Sequence, residues 1–261
     1  MAFPNFEGKH DHEAIITPAA MAAYRARRGL VPGGFVPPRA AIVTYQPYVF
    51  SRAAKRYAVT AHRVGLQGEL VTFDHTGGAV AMVGRFGFGA PIAAIMVEDL
   101  IALGVERIIS LGLAGALAPG LRIGELLVCH EAVRDEGVSH HYLPAAERAQ
   151  ASPALTAALA AELTAAGAPF RRGVAWTIDA VYRETVAEAR HYVDQGVDCV
   201  EMEAAALFTV AAVRGVELAG AFCISDLLAG GEWSPQFESP DLAERLAALL
   251  DAAVRTLEAP A

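Results

Sequence analysis

The chain has 261 residues, of which 54% are apolar and 19% are charged, and its formal net charge is −8 at pH 7. This acidic balance argues against nucleic acid or an anionic membrane as a main partner, because both require a basic surface. The polar N-terminus and the lack of a long apolar run predict a cytoplasmic protein. Three widely spaced cysteines in apolar segments predict buried thiols, and neither a disulfide nor a metal site is expected.

The first part of the chain differs from the rest. Residues 1–39 contain five prolines and one short helical segment, near 19–28, and are expected to form an extended N-terminal arm. Residues 40–261 are expected to form a single domain, because no shift in composition divides them. In that domain, a strand at 40–45 precedes a helix that begins at Pro47 and is predicted to reach about His62.

The remaining segments alternate between predicted strands and helices. A hairpin is predicted from 70–73 and 80–83, and further strands at 107–111, 125–129, 173–176, 198–201 and 217–224. Helices are predicted at 92–103, 153–167, 184–195, 204–214 and 242–257. This alternation favours a mainly parallel sheet with helices on both of its faces.

Two carboxylates mark the junction between a buried strand and the next helix. Glu203 falls in the first turn of the helix, where a negative charge gains about 0.3–1 kcal/mol from the helix dipole. Glu201 would end a strand buried on both faces, where an unpaired carboxylate is rare. Their spacing directs both side chains toward the sheet edge at which α/β proteins bind ligands. From the spacing alone, a structural role and a functional role are equally compatible with the pair.

Other chemically useful residues also follow predicted strands. They are the glycine-rich segment 84–91, the small residues 112–116, Asp179 and Asp226. A glycine-rich loop before a helix can bind an anion through backbone N–H groups, or it can be a turn that needs positive φ angles. Its glycine order differs from the dinucleotide-binding motif, so no such cofactor is expected. Strand ends that converge on one sheet edge are typical of an α/β active site.

The sequence Val200-Glu201-Met202-Glu203-Ala204, followed by Ser225-Asp226, resembles the nucleoside phosphorylase family. This family includes purine nucleoside phosphorylases, uridine phosphorylases and methylthioadenosine nucleosidases. The resemblance extends over about residues 40–257, including segments 84–91, 111–116 and 133–144. It implies a three-layer α/β/α fold around a twisted, partly barrel-like mixed sheet. It also implies cleavage of the bond between a nucleobase and its ribose by a homodimer or homohexamer.

The resemblance assigns roles to single side chains. The expected ribose-binding residues are Glu201, Met202, Glu203 and, from the N-terminal arm of a second copy, His12. The expected base-binding residues are Asp179, Val181 and Tyr182. Glu203 and Asp226 are the expected catalytic residues, because carboxylates stabilise the positive charge that develops on the sugar and an acid can protonate the departing base. Asp226 favours a purine slightly, although it could instead cap a helix.

The nucleophile is less clear, because the arginines that bind phosphate in phosphorolytic relatives have no evident counterparts. The expected pocket for phosphate or water comprises Gly87, Gly112, Leu113, Ala114, Arg63 and Arg85. Positions that carry phosphate ligands in those relatives are occupied here by Tyr45, Val49, Ser110 and Leu113. Each missing charge-assisted hydrogen bond removes about 1.5–3 kcal/mol of binding energy.

Three functions therefore remain open on the sequence alone. The first is phosphorolysis, which would release the base and ribose 1-phosphate and use phosphate as co-substrate. The second is hydrolysis by water, and the third is nucleoside binding without catalysis on the same fold. No cofactor is expected for any of the three.

Overall fold

The structure is a computed structural model that describes residues 6–228 and 231–259. Its strands are β1 (Ala40–Thr44), β2 (Val59–His62), β3 (Glu69–Phe73), β4 (Val80–Gly84), β5 (Arg107–Ala116), β6 (Leu126–Asp135), β7 (Arg148–Gln150), β8 (Phe170–Ile178), β9 (Cys199–Glu201), β10 (Glu217–Leu227) and β11 (Ser234–Pro235). Its α-helices are α1 (Pro18–Arg27), α2 (Pro47–Arg56), α3 (Ala90–Ala102), α4 (Pro153–Ala165), α5 (Val186–Asp194), α6 (Ala204–Arg214) and α7 (Pro240–Glu258).

These strands form one 11-stranded mixed sheet, part of which closes into a barrel. Closure arises because β10 pairs with both β5 and β6, while β9 pairs with both β5 and β8. On the open side, β1 lies between β5 and β4 and runs parallel to both, and β2 and β3 extend the sheet as antiparallel strands. The expected α/β fold with a partly barrel-like mixed sheet is confirmed.

Helices cover the sheet on both faces and complete the three layers. Helices α3 and α6 pack together on one face, and α1 packs on α3. Helices α2, α4 and α7 form the layer on the other face. Helix α6 is buried from Ala204 to Ala211 because its small alanines allow close approach to the sheet. The buried apolar residues of both faces form continuous clusters with the sheet between them.

The sheet is mixed, because the antiparallel pairs β5–β9 and β6–β10 join the parallel pairs in closing the barrel. Two details of the sequence prediction are wrong. The helix that begins at Pro47 ends at Arg56, since Val59–His62 forms β2 and pairs with β3. The segment 112–116 is not a loop, because β5 continues to Ala116 and pairs there with β10.

The residues that precede β1 lie against the domain. Helix α1 is fixed to α3 by an ion pair between Arg25 and Asp99, with an N–O distance of 2.7 Å. Further toward the N-terminus, the His10 ring donates a hydrogen bond to the carbonyl oxygen of His140 at 3.1 Å. The division into an arm at 1–39 and a domain at 40–261 stays a prediction. Within the described residues, no helix has both the length and the apolar character that crossing a membrane requires.

Trp176 offers a direct test of the packing between the barrel and α5. Its side chain is fully buried on β8, its ring lies 4.7 Å from that of Tyr192, and its Nε1–H donates to Asp135 at 2.8 Å. We expect Trp176→Ala to lower the free energy of unfolding by about 3–5 kcal/mol, because a large cavity remains. Trp176→Phe should cost less, since an aromatic ring is kept. Urea denaturation measures both, and equal losses for the two variants would contradict this account.

Candidate active site

A cavity of about 760 Å³ opens where β1 and β9 end beside the C-terminal half of β5 and β10. Eight of the residues selected from the sequence line it, although they come from several strands or their ends: Leu113, Ala114, Val181, Tyr182, Glu201, Met202, Glu203 and Asp226. The first loop contributes Tyr45, Gln46 and Tyr48 to the same cavity. The expected convergence of strand ends thus brings Glu201, Glu203 and Asp226 to one site, but not Asp179.

Glu201 is held rigidly although it is only 5% exposed. One carboxylate oxygen accepts a hydrogen bond from the Thr177 hydroxyl at 2.5 Å. The other accepts from the backbone N–H groups of Glu203 and Ala204, both at 2.8 Å, at the N-terminus of α6. Burial raises the pKa of Glu201, while these three donors favour its ionised form. The helix N-terminus therefore supports a buried negative charge at this position.

Glu203 is 6% exposed and stands directly before α6. Its Oε1 accepts a hydrogen bond from the backbone N–H of Gly89 at 2.5 Å. The glycine-rich loop therefore binds the carboxyl group of Glu203 through its backbone. Burial raises the pKa of Glu203, and the negative charge of Glu201 raises it further. Because Glu201 has more donors, Glu203 is the member of the pair that retains a proton.

Asp226 follows a β-bulge that shifts the register between β10 and β5. One carboxylate oxygen accepts from the Ser225 hydroxyl at 2.7 Å, and the other accepts from Trp233 Nε1–H at 2.9 Å. The alternative that Asp226 caps a helix is wrong, because it lies inside β10 and pairs with β11. Gly115 leaves space for it, since a Cβ atom there would lie 3.0 Å from Asp226 Oδ2 and 2.3 Å from Leu228 Cδ1.

The residues expected to bind the base are only partly at the cavity. Val181 and Tyr182 line it, and Tyr182 is 96% exposed, so its ring projects at the mouth. Asp179 does not line the cavity. Its carboxylate accepts a hydrogen bond from the backbone N–H of Gly137 at 2.8 Å and so fixes the segment after β6.

Of the residues expected to form the phosphate or water pocket, only some line the cavity. Leu113 and Ala114 line the cavity, whereas Gly87, Arg63 and Arg85 do not. Gly112 lies beneath the ring of Tyr45, because a Cβ atom there would be 3.4 Å from that ring. Arg85 instead forms an ion pair with Glu69 at 2.9 Å and donates to the Ser51 hydroxyl at 2.7 Å.

The charge of the cavity follows from these placements. Its described lining residues include four carboxylic acids, Glu184, Glu201, Glu203 and Asp226, and no lysine or arginine. The buried Tyr45 hydroxyl hydrogen-bonds to Ser110 at 2.9 Å, and burial raises its pKa well above the usual value, so it stays neutral. His12 is exposed in the N-terminal segment, near Phe6, and does not line the cavity of its own chain.

Two functional candidates were missed by the sequence. Thr177 links the site to α6, because its hydroxyl donates to Glu201 and accepts from the N–H of Ala205 at 3.0 Å. Glu184 lines the cavity, and burial raises its pKa to about 7, with further contributions from the charges of Asp226 and Glu188. Neither residue lies in a recognisable motif, so only its position in space identifies it.

Comparisons with known proteins identify the family to which the chain belongs. A family model described as "Phosphorylase superfamily" matches residues 39–255. The uridine phosphorylase of Thermococcus kodakarensis is 34% identical over 165 residues, which are 57% of this chain and 59% of that protein. A purine nucleoside phosphorylase of the DeoD type from Bacillus cereus is 30% identical over 188 residues, 70% of this chain and 79% of that protein. The match thus spans less than two thirds of the uridine phosphorylase and more of the purine enzyme.

Solved structures of nucleoside phosphorylases have the same fold. The crystal structure of uridine phosphorylase from Vibrio fischeri superposes with a TM-score of 0.70 at 26% sequence identity, over 85% of this chain and 91% of that one. A purine nucleoside phosphorylase from Toxoplasma gondii, solved with immucillin-H, has a TM-score of 0.73 over the same shares of both chains. Because its identity is 19%, that second likeness concerns the fold alone.

The buried carboxyl pair predicts an unusual dependence of stability on pH. The folded chain keeps protons on Glu201 and Glu203 at pH values where the unfolded chain has released them, so the native state binds more protons and stability falls as pH rises. We expect Glu203→Gln to raise the free energy of unfolding by about 1–3 kcal/mol near pH 8, and to change it little near pH 4. Glu238→Gln, at an exposed position, is the control. Urea denaturation across pH checks this, and a Glu203→Gln effect that does not vary with pH would refute it.

Proposed function

We propose that this chain, which belongs to the phosphorylase superfamily, cleaves the N-glycosidic bond of nucleosides. The observation that carries this proposal is the placement of Glu201, Met202, Glu203 and Asp226 around one cavity. Its relatives include uridine phosphorylases and purine nucleoside phosphorylases. Because the match covers only part of the uridine phosphorylases, activity and substrate are proposed for this chain rather than transferred to it.

The proposed role of Glu201 and Glu203 is to bind the hydroxyl groups of the ribose. An ionised Glu201 accepts hydrogen bonds from ribose hydroxyls, while a protonated Glu203 can both accept and donate. Binding two neighbouring hydroxyls fixes the ring for attack at C1′. As the base departs, C1′ gains positive charge, and two carboxyl groups held rigidly in a buried wall stabilise it without having to reorganise.

Asp226 stands apart from the glutamate pair in sequence and comes from a different strand. Its proposed role is to protonate the departing base. A base that accepts a proton leaves as a neutral molecule, and general acid assistance of this kind contributes about 10²–10⁴-fold to the rate. Ser225 and Trp233 fix the orientation of the Asp226 carboxyl. A purine can take this proton on its imidazole ring, so we propose a purine nucleoside as the favoured substrate.

Phosphate is the first candidate nucleophile, because the named relatives are phosphorylases. Phosphorolysis would release the base and ribose 1-phosphate, with phosphate as co-substrate and no other cofactor. The Gln46 amide lines the cavity and offers a neutral donor to the anion. Cationic groups would then have to come from outside the described lining, such as the arm or loops of a second copy.

Water is the second candidate, and the charge of the cavity favours it. Four carboxylic acids and no cationic side chain line the described cavity, so a phosphate dianion meets repulsion there. Burial also keeps the Tyr45 ring and its neutral hydroxyl in the wall beside Ser110. A neutral water molecule is not repelled, and hydrolysis would release the base and free ribose.

We also propose that the chain forms a homodimer or homohexamer and is located in the cytoplasm. Large apolar side chains stay exposed at the cavity mouth, among them Phe88, Tyr182 and Trp233, which supports coverage by a second copy in a homodimer or homohexamer. His12 of that copy would then approach the sugar. The three cysteines are free and buried, which suits the reducing cytoplasm.

The first experiment measures base release by chromatography from purine and pyrimidine nucleosides, with and without phosphate in otherwise phosphate-free buffer. We expect release from purine nucleosides, together with ribose 1-phosphate when phosphate is present. Release that is indifferent to phosphate and yields free ribose would establish hydrolysis instead. If no nucleoside is cleaved under either condition, the proposed function is wrong and binding without catalysis takes its place.

The second experiment compares the effect on kcat of replacing Asp226 with that of replacing Asp179, an acid that lies outside the cavity. We expect Asp226→Asn to lower kcat by about 10²–10⁴-fold, because proton donation to the base is lost. Asp179→Asn should keep kcat and base preference within about threefold, since its amide oxygen can still accept from Gly137. Thermal unfolding of both variants serves as the folding control. An active Asp226→Asn variant of lower stability would make Asp226 a structural residue.

A further inference from the structure

Thr177 lies next to Glu201 but does not itself line the cavity, and its side chain is fully buried. The parallel pairing of β8 with β9 places the two residues directly opposite each other. The Thr177 hydroxyl oxygen is 2.5 Å from Glu201 Oε1 and 3.0 Å from the backbone nitrogen of Ala205, in the first turn of α6. Among the described residues it has no other hydrogen-bond partner. One hydroxyl group therefore connects β8 and α6 to one carboxylate oxygen.

The direction of both hydrogen bonds follows from the groups involved. A backbone N–H can only donate, so the Thr177 oxygen accepts from Ala205. Its single hydroxyl proton then has one acceptor within reach among the described residues, Glu201 Oε1, and Thr177 donates to that oxygen. The opposite direction would leave the hydroxyl proton of a fully buried side chain without an acceptor, which is unfavourable. Thr177 thus fixes Oε1 as an acceptor.

The acceptor positions of Glu201 can then be counted. An ionised carboxylate has about four acceptor positions, two on each oxygen. The backbone N–H groups of Glu203 and Ala204 use the two positions on Oε2, each at 2.8 Å. Thr177 uses one of the two positions on Oε1. One position remains, and because Glu201 lines the cavity, a bound ligand can reach it.

We propose that Thr177 orients Glu201 so that its carboxylate accepts a hydrogen bond from a single ribose hydroxyl. This inference rests on the proposed function and adds a positioning residue to it. The neighbouring hydroxyl is then bound by Glu203, whose carboxyl group is held by the backbone N–H of Gly89. Thr177 acts through Glu201 and does not touch the substrate, since it lies outside the cavity lining. The consequence is selectivity for a sugar that carries a hydroxyl donor at one defined position.

The test compares kcat/KM of the unchanged enzyme and Thr177→Val for adenosine, 2′-deoxyadenosine and 3′-deoxyadenosine, or for the same series on another base that the enzyme accepts. Valine has nearly the shape of threonine but can neither donate to Glu201 nor accept from Ala205. We expect Thr177→Val to lower kcat/KM for the ribonucleoside by about 10- to 10²-fold, because the charge-assisted hydrogen bond from its hydroxyl is misaligned.

The two deoxy analogues identify the hydroxyl. For the analogue that lacks the hydroxyl bound by Glu201, Thr177→Val should lower kcat/KM by less than about threefold, because that interaction is already missing. For the other analogue, the loss should equal that of the ribonucleoside. For any ligand that is not cleaved, the dissociation constant measured by calorimetry replaces kcat/KM, with the same expected pattern.

Three further variants control for folding. Thr177→Ser keeps the hydroxyl and should retain kcat/KM for all three substrates within about threefold. Thr209→Val removes another buried threonine hydroxyl, which donates to the carbonyl oxygen of Ala205 at 2.7 Å and does not contact Glu201, and it should leave the three values within the same limit. Thermal unfolding shows whether each variant is folded at the assay temperature. If Thr177→Val is not, Thr177→Ala takes its place.

The outcomes separate this inference from the function on which it rests. If the unchanged enzyme cleaves no nucleoside, the proposed function fails, and calorimetry alone decides the inference; absence of binding would refute it as well. An equal loss for all three ligands would refute it, because a structural defect does not depend on one hydroxyl. A loss of less than about threefold for the ribonucleoside would also refute it. If both deoxy analogues escape the loss, Glu201 binds two hydroxyls and the single-hydroxyl assignment is wrong.

Discussion

Two buried carboxyl groups, two residues apart, are the constraint on which the site depends. Burying Glu201 and Glu203 is unfavourable unless donors surround them. The donors come from three separate places: Thr177 on β8, the first turn of α6 and the loop at Gly89. The three-residue strand β9 ends at Glu201 and is held between β5 and β8 in the closed barrel, and Glu203 follows two residues later, directly before α6. The strand pairings that close the barrel therefore also fix the position of the acidic pair.

Local sequence patterns predict most of the elements and part of the site, but not β2, β7 or β11. Alternation of apolar segments predicted the β3–β4 hairpin and the helices, and strand ends predicted that Glu201 and Asp226 would meet. Barrel closure could not be predicted in this way, because β5–β9 and β6–β10 are pairings between distant segments. The extension of β5 was missed for a related reason: glycines normally weaken a strand, and only pairing with β10 keeps residues 112–116 extended.

The anion pocket shows a second limit of the sequence. Arg85 follows β4 in a glycine-rich loop, which is a reasonable position for an anion ligand, yet its partners are Glu69 and Ser51 outside the cavity. Glu184 shows the converse, since the sequence places it as an ordinary first residue of a helix but it lines the cavity. In both cases the direction of a long side chain depends on neighbours that are distant in sequence. Residue type and spacing cannot supply that direction.

In the proposed reaction, the negative field of the cavity would have opposite effects on the departure of the base and on the arrival of the nucleophile. It would stabilise the positive charge that C1′ gains as the base departs, and this effect would grow because the carboxyl groups lie in a poorly hydrated wall. It also disfavours any anionic nucleophile that enters before that charge has developed. A dianion is therefore tolerated only if it arrives with cations, whereas water needs none. Since the described wall supplies no lysine or arginine, the proposed phosphorolysis would require cations from outside this lining, whereas the proposed hydrolysis would not.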